Sequence, residues 1–575
     1  MKKFLLTLFA IFASMVSAGA YDFMADGIYY DINEDGTTLA IVPDESYKDF
    51  TGDLVLPDTV TYNGTKYTVK FINNEAFKNC NGLTSVTLPN TVTVVGMMAF
   101  HHCDSLETLT IGTSLYMSGS GAFTNCKNVK TVNWNARKIH PFSSYLASPL
   151  LGYSNVTTFN VGPDVEEIPE ALLYSFFSLN TINWNARNCA NSPFATLRDD
   201  IKALVKTVNI GDSVRSLPPS FIKGLKNVEN LTIGKSITTI GPEAFNGCVK
   251  ITTAIFNDNL RSVGAFAFHY CTSLNKVELG NNVEFLGQYA FGSCIKLGSI
   301  HLPETITEIS DGLFSNCQYL ANVNIPRSIT RIGARAFNGC PISSFDLPAT
   351  ITEIGDAAFA STRISSMSIP PAVTKIGSWT FSHCYNLKTI DIHNRVTDIG
   401  NSVFYNCESL THVTLPPAVK VIGETAFIRC YELQSVTLPE SLDSIGPLAF
   451  SRCHSLKKIY CYAQTPPMIS DGTGYVDDYD FPNAYPWRDG SCASFAGNDL
   501  QHCTVYVPRG TGDSYRSDFC WSQFNIVEAD MSGVDEINCV KPADGPAQRY
   551  NVLGQPVSDD YHGIVIENGK KILVP

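Results

Sequence analysis

Basic residues are in deficit. The sequence has 41 lysines and arginines against 54 aspartates and glutamates, a formal net charge of −13. The chain therefore lacks the electrostatic footprint that phosphate backbones require, and no nucleic-acid partner is expected. Charged residues make up only 17% of the chain and hydrophobic ones 44%, which excludes a chain held unfolded by its own charge. Catalytic signatures are missing as well. There is no H-E-x-x-H, no G-x-S-x-G and no phosphate-binding glycine loop. No two histidines stand at H-x-x-x-H spacing, and His101-His102-Cys103, the densest group, has no metal-ligand spacing. Neither a cofactor nor a metal is expected. Cys492, Asp499 and His502 alone mix a nucleophile with an acid and a base, in a loop that implies no geometry, so an enzyme is not expected.

Long apolar runs are also absent beyond the N-terminus, so no transmembrane segment is expected in the mature chain. The first twenty residues read as an export leader. Lys2 and Lys3 precede an apolar stretch from Phe4 to Val16, and Ala18-Gly19-Ala20 supplies the small residues of a cleavage site. Cleavage before Tyr21 would take the charge from −13 to −15, since those two lysines are the only charges removed.

What the chain does have is a period. Cys80, Cys103 and Cys126 are 23 residues apart, as are Cys248 to Cys340 in sequence and Cys384 to Cys453 in sequence. A phenylalanine stands three residues before each, as in Phe77, Phe268 and Phe427. The unit is I-G-x-x-A-F-x-x-C-x-x-L-x-x-V-x-L-P, seen in full from Ile422 to Pro439. A period of this length with one alternating V-x-L segment implies a solenoid whose short strands stack in parallel, one per unit. Proline ends the strand, and glycine after isoleucine permits the bend that follows. Each unit buries its apolar side chains only against its neighbours. Units of irregular, longer form occupy 127–240, where Asn133-Trp134-Asn135-Ala136-Arg137 recurs at Asn183 to Arg187. Leu173 and Ile222 replace the phenylalanine there, giving about fifteen units by this template.

An open solenoid exposes apolar ends, so caps are required. Residues 21–71 are assigned to the first cap, with a hairpin around Glu34-Asp35-Gly36. The solenoid then spans 72–461. Residues 462–530 are assigned to the second cap, which contains the strand Thr504 to Pro508. The tail 531–575 ends in a hairpin from Gly563 to Val574 around Asn568-Gly569.

Over residues 72–461 this unit resembles the repeat of the BspA-like, or Treponema-type, leucine-rich-repeat surface proteins of Bacteroidetes. Tyr21 to Phe77 is similar to the start of such proteins. Cys461 to Pro467, with Cys503 to Gly510, is similar to their ending, and the terminal hairpin to the sorting tails of exported Bacteroidetes proteins. The resemblance implies a β-rich solenoid, a right-handed leucine-rich-repeat array of 23-residue units capped at both ends. It also implies a secreted or cell-surface location, outside the outer membrane, and an adhesin role.

The candidate binding surface is the strand face. The middle residue of V-x-L points outward, and the row includes Thr87, Thr110, Glu278, His301 and Asn324. It continues through Asp346, Asp391, Thr414 and Thr437. Taken singly, each is an ordinary soluble position. Together they form a flat polar sheet about two side chains wide, able to hold protein ligands at host or bacterial surfaces by many weak contacts. An alternative is glycan binding in nutrient capture, motivated by the insertions at 135–207 and by a loop in which Tyr479, Phe481, Tyr485 and Trp487 could stack on sugars. Trp134 and Trp184 fall at inward positions and are expected in the core. Twelve of the eighteen cysteines share one column, where parallel Cβ vectors do not converge as a disulfide requires, so they read as buried thiols. Cys461 and Cys503 are a candidate disulfide pair across the C-terminal cap.

Overall fold

The computed structural model describes residues 21–44, 46–47, 50–140, 148, 150, 152–470 and 492–531, with four strands between 549 and 574. The leader at 1–20 and the aromatic loop from Tyr475 to Trp487 lie outside these residues.

Each turn of the coil has three sides. The alternating V-x-L segments form the first side, with the V and L positions buried, as at Val86, Leu109 and Val132. Eight of these strands, from Thr51–Val55 to Asn230–Thr232, pair in one parallel ladder. Shorter ladders follow, and the last runs from His412–Thr414 to Asn525–Ala529. Nineteen strands lie on this side, matching a solenoid of about 19 turns. Three of these strands lie in the caps, at Thr51–Val55, Thr504–Pro508 and Asn525–Ala529, and the estimate of fifteen units within 72–461 omitted two turns. The chain inserts extra turns at 135–157 and 185–206, where no Phe-x-x-Cys marks them. Their strands nevertheless stay in register: Thr131–Trp134, Thr158–Val161, Thr181–Trp184 and Thr207–Ile210 pair residue for residue.

The second side adds something the pattern did not reveal. Outside the irregular turns at 135–207, the turns also carry a two-residue strand at the x-I of x-I-G. Glu308–Ile309, Arg331–Ile332 and Glu353–Ile354 pair in parallel, and comparable strands run to Met468–Ile469. The isoleucines point inward and are buried.

The third side is built of turns, and backbone bonds stitch it to the next coil. Glu75, Phe77 and Asn79 donate their N–H groups to the carbonyls of Met97, Ala99 and His101 at 2.9, 2.7 and 2.9 Å. The same scheme recurs as far as Phe427 N–H to Ala449 O at 2.7 Å. In the regular turns two residues adopt left-handed backbone to make this possible, such as Met98 and His102 at φ 53° and 59°. The glycine of I-G has a different task from the one expected. It is not left-handed; instead it lies where the next coil is closest. A Cβ on Gly287 would stand 2.4 Å from Ala265 N, and one on Gly423 2.6 Å from Gly400 C.

The core is a stack of rings. Phe245 and Phe268 are 4.8 Å apart, Phe404 and Phe427 5.1 Å, and Phe427 and Phe450 5.0 Å, with nearly parallel planes. Tyr47 stacks on Phe77 at 4.9 Å, and Phe495 stacks on Phe450 at 5.3 Å. These two rings end the stack on aromatic surface, where an open coil would expose it. The N-terminal hairpin pairs Ile28–Ile32 with Thr38–Ile41. At the other end Thr504–Pro508 and Asn525–Ala529 continue the strand ladder. Tyr515 Oη donates to Ala463 O at 2.8 Å and Trp521 Nε1 to Pro467 O at 2.9 Å, fixing the Cys461 to Pro467 segment. In the tail Gly563–Glu567 pairs with Lys570–Val574, as expected for an Asn-Gly hairpin.

The cysteine column is made of buried free thiols. Each thiol also has a partner. Cys294 Sγ donates to Phe268 O at 3.2 Å, Cys317 to Phe291 O at 3.1 Å, and Cys407 to Phe381 O at 3.1 Å. Eleven such bonds run up the coil, so the column satisfies one buried carbonyl per turn with a weak donor small enough to fit. The candidate pair is corrected: Cys461 and Cys503 are both free, and Cys461 Sγ lies 3.2 Å from Tyr515 Oη. The disulfide joins Cys492 to Cys520, which lie outside the repeat column and are therefore free to converge.

Candidate binding face

The outward row of the strand side follows from strand alternation alone. In the ladder Thr87 stands beside Thr110, and Thr110 beside Asn133. From there the row is asparagine in four successive coils. Asn160 Nδ2 donates to Asn133 Oδ1 at 2.6 Å, Asn183 to Asn160 at 2.6 Å, and Asn209 to Asn183 at 2.7 Å. Thr110 Oγ1 accepts from Asn133 Nδ2 at 2.8 Å and ends the chain of amides. Asn160, Asn183 and Asn209 were missed as members of this row. The recurrent Thr-x-Asn-x at 131, 158, 181 and 207 was the available signal.

This ladder can be broken by one atom. Asn183→Asp removes the donor to Asn160, and its carboxylate faces another oxygen. We expect a loss of about 1–2 kcal/mol at neutral pH. That loss shrinks as pH falls below about 4, where a protonated aspartate can donate again. The sign follows from the aspartate pKa, raised in the folded state, whose stabilising form is the acid. Urea unfolding of both chains at about pH 7 and pH 3.5 checks it; a pH-independent deficit would show that the amide chain is not what was broken.

Further along, the face is not the continuous flat sheet expected. Pairing lapses between Asn322–Val323 and Ser366–Ser368. There the units from Phe337 to Phe381 are one residue short, and Asn324 turns its amide onto the backbone of Leu302. It accepts from Leu302 N–H at 2.7 Å and donates to Leu302 O at 2.9 Å. A depression of about 490 Å³ results, and His301, Asn324 and Asp346 line it together. His301 and Asp346 are exposed. Glu278 is exposed and paired with Lys276 at 2.7 Å. Asp391 accepts from Ser368 Oγ at 2.9 Å, and Thr414 is exposed. Thr437 is corrected: it is buried, only 8% exposed, beside Tyr460 in the next rung, whose ring stacks on Tyr506 at 5.1 Å. Large rings close the face at that end.

The other sequence candidates are settled by simple geometry. Trp134 and Trp184 are buried in the core. Cys492 is consumed by its disulfide and offers no nucleophile. Asp499 and His502 form a surface pair at 2.8 Å, and the bond from His502 holds the Asp499 carboxyl below its ordinary range. Among the described residues no group of three histidine, cysteine or acidic side chains could hold a metal ion. Nor is any helix among them long and apolar enough to cross a membrane.

Parallel ladders on two sides, a stitched third side and plugged ends define a leucine-rich-repeat solenoid. A model of the BspA type leucine rich repeat region matches residues 70–196, 202–321, 284–411 and 352–466. The chain belongs to that family. No curated protein matches it. Among solved structures it is similar to a leucine-rich repeat protein from Bacteroides ovatus, with 23% identity over 76% of this chain and 94% of that one, TM-score 0.34. It is also similar to a leucine rich cell surface protein from Faecalibacterium prausnitzii, with 20% identity over 78% and 96% of the two chains, TM-score 0.25. A third is the leucine rich repeat protein of T. pallidum, with 16% identity over 48% and 90%, TM-score 0.18.

Proposed function

We propose that this chain is an exported surface binding protein whose strand face engages proteins of host or bacterial surfaces. The observation that carries the reading is the outward row itself. From Thr87 to Asn209 it presents short hydroxyl and amide groups at one spacing, and His301, Asn324 and Asp346 gather in a depression beyond it. A rigid row of weak hydrogen-bonding groups suits an extended partner that gains affinity by repetition. The surface location rests on the leader read at 1–20, the family and the terminal hairpin. Its test is retention of the mature chain on immobilised matrix proteins and on whole bacterial cells. We expect retention by at least one, and a drop of about tenfold or more on changing Thr87, Thr110 and Thr414 together to lysine. No retention across a broad panel would end the proposal. The glycan alternative rests on the insertions at 135–207 and on the loop from Tyr475 to Trp487, which lies outside the described residues.

A further inference from the structure

The turn side, opposite to the strand face in its chemistry, holds a groove of about 550 Å³ between residues 269 and 383. The repeat builds it in columns. The residue two before the ladder phenylalanine is Phe266, Tyr289, Gly312, Arg335, Ala357 and Trp379 in successive turns. Small side chains at Ala357, Ala360 and Ser361 lower the middle, while rings raise both ends. At one end Tyr289 lies parallel to Phe266, with centroids 5.3 Å apart, and Tyr270 is exposed. At the other Trp379 is 44% exposed and packs at 5.5 Å against Tyr405. The two ends are four turns apart, about 19 Å at roughly 4.8 Å per turn.

Three observations point to one kind of ligand. First, the rings stand where backbone conformation disfavours them. Phe266, Tyr270, Tyr289 and Trp379 have φ of 57°, 58°, 52° and 62°, in columns where Gly312 and Gly339 also occur. The turn geometry sets left-handed backbone in these columns along the regular repeats, and Gly312 and Gly339 satisfy it without strain, so the fold does not require rings there. Second, Asn316, Asn338 and Arg335 line the groove and make no side-chain hydrogen bond among the described residues. Third, Arg335 and Asp356 balance in charge, and the Asp356 carboxylate already accepts from Ser378 N–H at 2.8 Å. Nor does the groove offer a strand edge to an extended peptide, because its backbone is already stitched. Tyr289 N–H is given to Asp311 O and Arg335 N–H to Asp356 O.

We propose that this groove binds a neutral oligosaccharide, with a sugar ring stacked on the exposed Trp379 and hydroxyls bonded by Asn316, Asn338, Arg335 and the hydroxyl of Tyr289, whose ring faces are covered by Phe266 and Gly312. The site is separate from the strand face, and its occupancy does not depend on that reading.

Tryptophan emission reports it directly. Trp134, Trp184 and Trp521 are buried, whereas Trp379 is exposed in the groove, and Trp487 is replaced by phenylalanine in every chain titrated so that it adds no signal. The mature chain is titrated with cellohexaose, xylohexaose, mannohexaose, maltohexaose and chitohexaose, by emission and by calorimetry. At least one produces a saturable emission change. Trp379→Gly removes that change and weakens binding by about tenfold or more. Tyr289→Gly weakens it comparably while leaving the emission of Trp379 in place. Both glycines suit left-handed backbone, which offsets part of the lost ring packing, and circular dichroism checks that both variants keep the fold. Retention on surface partners is unaffected in both. Absence of heat and of emission change with all five sugars would overturn the proposal, as would undiminished binding in both glycine variants.

Discussion

Phe404→Ala is expected to cost about 3–5 kcal/mol and to split unfolding into two transitions. Phe404 is fully buried, between Phe381 at 5.6 Å and Phe427 at 5.1 Å. Removing the ring empties one rung of the stack and leaves its two neighbours facing a void. Cys430 donates to the Phe404 carbonyl at 3.3 Å, so a shift of that backbone also disturbs the next thiol. In a coil where each turn touches only its neighbours, a weak rung uncouples the segments on either side. Urea unfolding followed by circular dichroism, with limited proteolysis mapped by mass spectrometry, checks this. We expect first cleavage within the turns flanking residue 404. A single transition shifted by less than about 1 kcal/mol would mean that the stack is not what holds the coil together.

The second large effect is alkaline. Burial pushes thiols of the regular column up, to about 12 at Cys271 and Cys317, and well above the ordinary value at Cys248, Cys294, Cys340 and Cys407. In the unfolded chain a thiol ionises near pH 8.5. The folded pKa is raised, so the stabilisation is complete below about pH 8.5 and is lost as pH rises toward the folded values. Each thiol then subtracts about 1.4 kcal/mol per pH unit, and many share the column. The coil should therefore lose stability steeply between about pH 9 and 11. Unfolding free energies measured across that range give the proton linkage. Replacing Cys294 and Cys317 by alanine should reduce the slope by about two protons, at some cost near neutral pH. An unchanged slope would show that these thiols do not titrate on unfolding.

Much of this architecture was legible because repetition exposes it. Phe-x-x-Cys at one spacing located the core stack, and V-x-L placed Trp134 and Trp184 inside. The number of turns was not legible, because the extra coils at 135–157 and 185–206 lack the phenylalanine and cysteine that mark the others. Thr-x-Asn-x carried the register there, but a four-residue strand is a weak signal against an 18-residue motif. The glycine of I-G was read through its conformational freedom, whereas its role is close approach, which depends on the neighbouring coil. The same holds for the thiols: their carbonyl partners are 25 or 26 residues earlier, in another turn. Cys492 and Cys520 sit in a cap with no repeat to compare, so nothing in their spacing announced the bond.

The strand face carries the functional reading, and footprinting of its carboxylates tests it most directly. Glu278, Asp346 and Asp391 are exposed in the outward row, and Glu353 and Asp398 are exposed on the second side of the coil. The mature chain, free and bound to whichever surface retains it, is labelled with a carbodiimide and a small amine. The account predicts that labelling of Glu278, Asp346 and Asp391 falls several-fold on binding while Glu353 and Asp398 are labelled as before. Protection of Glu353 and Asp398, with the outward row unchanged, would contradict it.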